Sequence, residues 1–246
     1  MKSLRVCVLL IVSVVGLPCL QAQTNASADA TTVTATNDQD KTIEKHAKPI
    51  LDALNLNNAE KEAKVQSIVG DYFKALDAWH AGNDAQIKAL WKEFNSARGK
   101  QDETNADAAL AKIDGAYASF KPQHDKFLSS LSIVLTPEQV ETIKDVLTVN
   151  KVKVTFNAYG QIFHGLTEAQ NAFILKNLKQ AREEAINAKA MTEKSSFFKK
   201  YKIKIEAYLT AQGYDVKQSY KDFVAKQKAE AAAKKTAATP ADNDKE

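Results

Sequence analysis

Apolar residues recur along this chain at steps of three and four, and this spacing limits the possible folds more than any other feature of the sequence. Leu110, Ile113, Tyr117 and Phe120 form the clearest run. Such spacing places the apolar side chains on one face of an α-helix. Glycine and proline, which interrupt helices, number only 8 and 5 among 246 residues. The sequence therefore predicts an all-α fold, an antiparallel helical bundle of six to eight helices.

The apolar runs and their breaks give the expected helix boundaries. Pro49 is expected to break the first helix or to start its second half, and Gly82 marks a second break at 81–83. Pro122 is expected to kink a long helix. Gly213 should end a helix in the left-handed conformation. The predicted helices cover 41–54, 57–79, a stripe from Ile87 to about Gly99, 104–135, 137–148, 167–189, 193–212, and a last helix from about Asp215.

One stretch near 149–160 departs from helical spacing. Val152, Val154 and Phe156 alternate with polar residues, which is the period of a β-strand. A single strand needs a partner, and the sequence offers none. We therefore expect an irregular or extended segment there.

The start of the chain has the composition of a secretory signal peptide. Basic residues precede an apolar run at 6–20, and a short polar exit follows. We expect residues 1–23 to be the signal peptide, 24–40 a flexible leader, 41–228 a single helical domain and 229–246 a disordered Lys/Ala-rich tail. The protein should be exported, to the periplasm or beyond, with no transmembrane segment after cleavage. Acylation at Cys19 is the competing interpretation, but Pro18 stands where a lipoprotein signal has a small residue.

Cleavage would also remove Cys7 and Cys19, the chain's 2 cysteines. The mature chain would then have no disulfide, no thiol nucleophile and no thiolate metal site. Loss of Lys2 and Arg5 takes the net charge from +4 to +2. Few arginines remain, and a nearly neutral, arginine-poor chain makes nucleic acid an improbable partner.

Two near-repeats, LTPEQ at 135–139 and LTEAQ at 166–170, have the pattern of a capping box. Each threonine should accept a hydrogen bond from the backbone three residues on, and each glutamine should return one. A third cap is expected at the start of the second helix. The predicted capping pairs are Thr136 with Gln139, Thr167 with Gln170, and Asn57 with Glu60.

The L-T-x-x-Q segments resemble those of the Spy/CpxP group of periplasmic helical stress proteins and chaperones. A longer pattern resembles an uncharacterised secreted helical family of Bacteroidota, a domain of unknown function. That pattern comprises Tyr159, Leu166 to Gln170, Ala181 to Ala185, Lys194 to Tyr201, and Gly213 to Asp215. This resemblance implies an envelope location, a helical domain and a carbohydrate context, because members are often encoded near polysaccharide-degrading genes. It supplies no catalytic residues.

The search for chemistry finds little that is specific. No glycine-rich phosphate loop or G-x-S-x-G motif occurs, and the 4 histidines lack the spacing of a metal-binding helix. We expect no metal and no cofactor. Glu183 and Glu184 could form a hydrolytic carboxylate pair, but a solvated helix face beside lysines explains them better.

Aromatic residues are the better candidates for ligand contacts. One group flanks the expected break at Gly82, and the other lies in the expected irregular segment, where functional residues concentrate. The candidates are Trp79, His80, Phe156, Tyr159, Phe163 and His164. The sequence favours an exported non-enzymatic binding or accessory protein, whose partner is an oligosaccharide or an envelope protein. A Spy-like chaperone is the alternative, and an enzyme of unknown type is the third option.

Overall fold

The computed structural model describes residues 44–237, and this part of the chain contains nine α-helices and no strand. The all-α prediction is confirmed, but the helices exceed the six to eight expected. The described part of α1 spans 44–54 without a break at Pro49. The remaining helices α2 to α9 span Ala59–Gly99, Glu103–Ala118, Lys121–Val134, Pro137–Leu147, Lys151–Ile162, Glu168–Ala185, Met191–Ala211 and Val216–Ala237.

Helix α2 runs for 41 residues, straight through the break expected at Gly82. Its length is about 60 Å at the standard helical rise. The apolar stripes on the two sides of Gly82 are in register on one helix face, so the glycine lies at an exposed position and interrupts nothing. The break was therefore wrongly predicted, because one glycine lowers helix propensity without ending a helix that tertiary packing supports.

The long helix expected from 104 to 135 is instead two helices, α3 and α4. Ser119 and Phe120 separate them, and the Phe120 side chain is buried. Pro122 lies in the first turn of α4. A proline is tolerated there because the first backbone amides of a helix have no intrahelical partner. Pro122 therefore marks the start of a new helix and not a kink within a longer one.

The segment near 149–160 is helical, not irregular or extended. Helix α6 follows Val149 and Asn150, which both have positive φ values, 47° and 55°. On α6, Val152 is buried, while Val154 is 63% exposed and breaks the apparent alternation. Residues 152, 156, 159 and 163 follow helical spacing. The period-two alternation of residues 152, 154 and 156 obscured that spacing in the sequence.

The capping boxes of α5 and α7 are formed. Thr136 and Thr167 accept hydrogen bonds from the backbone of Gln139 and Gln170 at 3.3 and 3.2 Å, and each glutamine returns one. The cap of α2 is corrected by one residue. Asn58, and not Asn57, accepts the backbone bond from Lys61. Asn57 has a φ of 51°, which places it outside the helix, and Glu60 pairs with Lys64 rather than reaching back.

The end of the described chain also differs from expectation. Helix α9 continues to Ala237, so its last turns occupy residues 229–237, where we expected a disordered tail. An Ala/Lys/Glu-rich segment has high helix propensity, and this can extend a helix that already packs at its start. The expected signal peptide and flexible leader lie outside the described residues.

The buried apolar residues form two clusters. The first core contains residues between Ala47 and Ile143, from α1, the first half of α2, α4 and α5. The second core contains residues between Ile87 and Leu209, from the second half of α2, α3, α6, α7 and α8. Helix α2 contributes to both cores, and Trp79 packs against both.

Candidate functional site

The aromatic residues proposed from the end of α6 lie in the protein interior. Tyr159 and Phe163 are 2% and 1% exposed, and their rings stack with centroids 5.7 Å apart. Burial raises the pKa of the Tyr159 hydroxyl, with a smaller contribution from Glu206. Phe156 is half-buried against the second core. These three side chains therefore pack the core instead of lining a cleft.

His164 lies at the surface, just after this helix. Its backbone carbonyl accepts a weak hydrogen bond from the Tyr214 hydroxyl at 3.5 Å, and its side chain is exposed. It is not brought together with Trp79 or His80 by any contact among the described residues.

His80 is fully buried and fully bonded. Its Nε2 lies 2.8 Å from the backbone oxygen of Asn187, and its Nδ1 lies 2.7 Å from a carboxylate oxygen of Asp84. A carbonyl oxygen only accepts, so Nε2 donates to Asn187, and Nδ1 faces the Asp84 carboxyl group. His80 therefore ties α2 to the connection between α7 and α8.

Asn187 extends this buried network. Its side-chain oxygen lies 3.0 Å from both the Tyr72 hydroxyl and Nδ1 of His124. The Tyr72 hydroxyl also reaches the carbonyl of Ile186 at 3.0 Å. Burial raises the pKa of Tyr72, so the hydroxyl stays protonated and can donate. The network fixes the α7–α8 connection, residues 186–190, against α2 and α4.

Trp79 stands at the edge of this network, half-buried. Its indole N–H donates to the Ser119 hydroxyl at 2.8 Å, and its ring lies against His80, Tyr117 and Phe120. These contacts give Trp79 a packing role at the junction of the two cores.

An open cleft of about 830 Å³ lies on the outer side of the fixed connection. Helix α2 forms one wall, and the α7–α8 connection with the start of α8 forms the other. Such a volume suits a small organic ligand. The lining residues are Asp84, Lys88, Trp91, Lys92, Asn95, Ser96, Lys189, Ala190, Thr192, Glu193 and Ser196.

Trp91 is the one aromatic residue of the described chain that lines this cleft, although it belongs to the second core and only 6% of it is exposed. Its ring packs edge-on against Phe197 with centroids 5.2 Å apart, which joins α2 to α8 beneath the cleft. Its indole N–H is buried and has no hydrogen-bond partner among the described residues. An unpaired buried donor is costly, and because this N–H is shielded from solvent it is not available to a ligand in the open cleft.

The two acids of the cleft are already bound within the protein. Glu193 accepts from the Tyr117 hydroxyl at 2.6 Å and from the backbone N–H of Lys189 at 3.0 Å. Partial burial alone would raise the pKa of Asp84, but the hydrogen bond and charge of His80 lower it below its usual value. Asp84 is therefore a carboxylate at neutral pH.

Sequence reasoning missed this cleft, although a signal was present. Asp84, Lys88, Lys92 and Ser96 follow at steps of four, which places them in one row on the surface of α2. Such a polar row is the common outer face of an amphipathic helix, and only the connection at 186–190 makes it the wall of a cleft. His80 was identified, but as a ligand contact rather than as the buried support of Asp84.

Glu183 and Glu184, expected on a solvated face, are only about a quarter exposed and serve the helix packing. Glu183 pairs with Lys144 at 3.1 Å, and Glu184 pairs with Lys200 at 3.0 Å. Arg182 binds Asp145 at 2.6 Å and also Glu141. The A-R-E-E-A segment thus links α7 to α5 and α8 and forms no hydrolytic pair.

Neither a metal-binding cluster nor a membrane-spanning helix occurs among the described residues. No group of three or more His, Cys, Asp or Glu side chains there is arranged to hold a metal ion. Within 44–237, no helix combines the length and apolar character needed to cross a membrane.

The fold and the cleft define an all-α protein with a mostly polar surface site beside Trp91. Over residues 40–229 the chain matches the model of a family described as a protein of unknown function, DUF3826, and it belongs to that family. The match includes both cores and every residue of the cleft. No curated protein matches the chain.

Proposed function

We propose that this chain is an exported, non-enzymatic carbohydrate-binding protein of the bacterial cell envelope, and that the cleft beside Trp91 is its binding site. The observation that carries the proposal is the composition of the cleft walls. Ammonium, amide, hydroxyl and carboxylate groups line a space of about 830 Å³, together with the small exposed part of Trp91. A polyhydroxylated ligand needs this combination of many donors and acceptors with some apolar surface.

The rigidity of the site supports ligand binding. The wall at 186–190 is held by hydrogen bonds from His80, Tyr72 and His124. A preformed wall lowers the entropy that a ligand must lose on binding. The cleft therefore has the properties of a fixed recognition surface.

A glycoside hydrolase is the enzyme that this cleft could suggest, because Asp84 and Glu193 both line it. Such an enzyme needs one carboxyl group that is protonated near neutral pH. His80 holds Asp84 ionised, and Glu193 accepts two hydrogen bonds from the protein. Neither acid is arranged as a proton donor, and this argues for binding without cleavage.

Binding can be measured with tryptophan fluorescence, because the chain has only 2 tryptophans. The Trp79→Phe variant leaves Trp91 as the single reporter beside the cleft. We expect its emission and the melting temperature to shift with at least one member of a broad panel of plant and bacterial oligosaccharides, with no release of shorter products. A flat response across the panel would overturn the proposal, and product release would establish an enzyme instead.

A blocking variant locates the site. Ser96 is exposed and lines the cleft, so Ser96→Phe should abolish binding in calorimetry while leaving the fold intact. Ser67→Phe, at another exposed position of α2, is the matched control. Equal binding by both variants would place the ligand elsewhere.

The chaperone alternative is measured on the same preparations, as suppression of aggregation of an unfolding client protein.

The location forms part of the proposal. Expression of the full chain in a bacterial host should yield a mature protein that begins near residue 23 and appears in the periplasmic or secreted fraction. Mass spectrometry of the intact product measures this. A full-length chain retained in the cytoplasm would contradict export without affecting the binding experiments.

A further inference from the structure

A second cleft continues the first along α2. It has a volume of about 550 Å³ and lies between α2 and α3. Lys92 and Ser96 line both clefts, so the two spaces meet at these residues. From Asp84 to Lys100 the joined groove follows about 24 Å of helix, at 1.5 Å per residue. A groove of that length suits a linear chain of several units better than a single sugar ring.

The acids of this groove are matched by partners within the protein. Asp84 and Glu193 are bound as described above. In the second cleft, Glu93 lies 3.9 Å from the ammonium of Lys112, and Asp102 caps α3 by accepting from the backbone of Asn105 at 3.1 Å. Each acid of the groove thus already has a partner within the protein, a weak ion pair for Glu93 and hydrogen bonds for Asp84, Glu193 and Asp102.

The lysines are less well matched. Lys88 lies 3.7 Å from Asp84, whose other oxygen is bound to His80, so this pair is weak. In the described part of the chain, no ion pair involves Lys92 or Lys100. Both are exposed, and Lys92 occupies the junction of the two clefts. The groove thus presents an unpaired ammonium at its centre, whereas at its far end the charge of Lys100 acts on the Asp102 carboxylate.

We infer that the ligand is an acidic oligosaccharide, which runs along α2 through both clefts and places a carboxylate or sulfate group against Lys92. This inference rests on the proposed function and adds the charge and the minimum length of the ligand. An anionic group gains a charge-assisted hydrogen bond from the Lys92 ammonium, and a chain that crosses the junction also contacts the second cleft.

The experiment compares four probes by calorimetry on the full mature protein. These are a galacturonate hexasaccharide, the galacturonate disaccharide, the fully methyl-esterified hexasaccharide and a sulfated galactan hexasaccharide. We expect an acidic hexasaccharide to bind more tightly than both the disaccharide and the neutral ester, and to bind more weakly as NaCl is added. Preference for the uronate or for the sulfated chain identifies which anion Lys92 recognises, and either supports the inference.

Lys92→Gln supplies the residue-level test. Loss of one charge-assisted contact should weaken binding of the acidic hexasaccharide roughly tenfold and leave binding of the neutral ester unchanged. Lys74→Gln, an exposed lysine of α2 outside both clefts, is the matched control and should change neither. Circular dichroism of both variants checks that α2 is intact.

The outcomes separate this inference from the proposed function. If the neutral ester or the disaccharide binds as well as the acidic hexasaccharide, the inference fails while carbohydrate binding stands. Unchanged affinity in Lys92→Gln also overturns it. If no carbohydrate of any charge binds, both proposals fail together.

Discussion

Arg182 joins two helices through a side chain that is only 2% exposed. From α7 its guanidinium binds Asp145 and Glu141, which both lie on α5. The hydrogen bonds and charge of Arg182 lower the pKa of Glu141, although partial burial alone would raise it. Removing one partner of such a buried ion pair strongly destabilises a protein, because the charged group that remains has lost its counter-charge.

Replacing Arg182 should therefore destabilise the protein far more than replacing the other arginine of the described chain. Arg182→Met roughly keeps the volume but leaves Asp145 without a cation and Glu141 with Lys144 and Lys179 alone. We expect a loss of about 3 kcal/mol in the free energy of unfolding. Arg98→Gln removes an exposed pair with Glu103 and should cost below about 1 kcal/mol. Urea unfolding at pH 7 measures both, and equal effects would show that the buried network contributes little.

Lys194 gives the stability a dependence on alkaline pH. Its side chain is 8% exposed, and burial lowers its pKa to about 8. The unfolded lysine titrates near 10.5, so between these values the unfolded chain binds the extra proton and stability increases with pH. We expect a rise of about 1 kcal/mol between pH 8 and pH 9. As the pH approaches 10 the ionisation of unfolded tyrosines, near 10.0, opposes it, because burial raises the pKa of several tyrosines in the folded protein.

The measurement is urea unfolding at several pH values for the native protein and for Lys194→Met. The variant has no ammonium to bury and should lack the rise. If the native protein and Lys194→Met changed in stability by the same amount from pH 8 to pH 9, this assignment would be contradicted.

At the residue scale, the sequence predicts contacts between residues a few positions apart. It does not predict contacts between residues that are far apart in the chain. The capping boxes of Thr136 and Thr167 involve residues three positions apart, so their pattern is visible in the sequence. The partner of His80 is Asn187, 107 positions away. No spacing rule connects such residues, and so the role of His80 and the wall of the cleft depend on the tertiary structure.

At the scale of secondary-structure elements, helix α2 determines the geometry of the site, because its row of polar residues forms one wall of both clefts. An added Cβ at Gly82 would meet no atom within 4 Å, and the residue is exposed. Gly82→Ala should therefore stabilise the protein by about 0.5–1 kcal/mol, since alanine loses less backbone freedom in a helix. Thermal and urea unfolding measure the change.

Gly213 is the matched control for this substitution. It also has open space around it, but its φ of 94° belongs to the left-handed region. Gly213→Ala should destabilise the protein by about 1 kcal/mol. If Gly82→Ala were destabilising to a similar extent, α2 would be broken at that point, as its sequence first suggested.

The elements also show where periodicity fails. Long runs of regularly spaced apolar residues, such as those on α2 and α7, identify helices, because many residues follow the same helical period. Helix α6 is 12 residues long, and three apolar residues at its start fit a strand as well as a helix. Short runs of β-branched residues are ambiguous until packing decides which side chains are buried, and here packing exposes Val154.

At the scale of the whole molecule, α2 connects two cores that could otherwise unfold separately. Val65 to Leu76 lie in the first core and Ile87 to Ala97 in the second, and all belong to one helix. Trp79 contacts both cores at the junction, and the Tyr72–Asn187 hydrogen bond also crosses it. Separating the cores would expose these contacts to water, so unfolding one core should destabilise the other.

We therefore expect a single cooperative transition, and Trp91 can test it. Leu131 belongs to the first core and Trp91 to the second. In the Trp79→Phe background, Leu131→Ala should cost about 3 kcal/mol and shift the Trp91 fluorescence and the helical circular dichroism to the same lower denaturant midpoint. Ile174→Ala, a fully buried change within the second core, should shift both signals in the same way. If Leu131→Ala lowered the dichroism in a separate early phase while the Trp91 transition stayed in place, the cores would be independent, and the cleft would then depend on the second core alone.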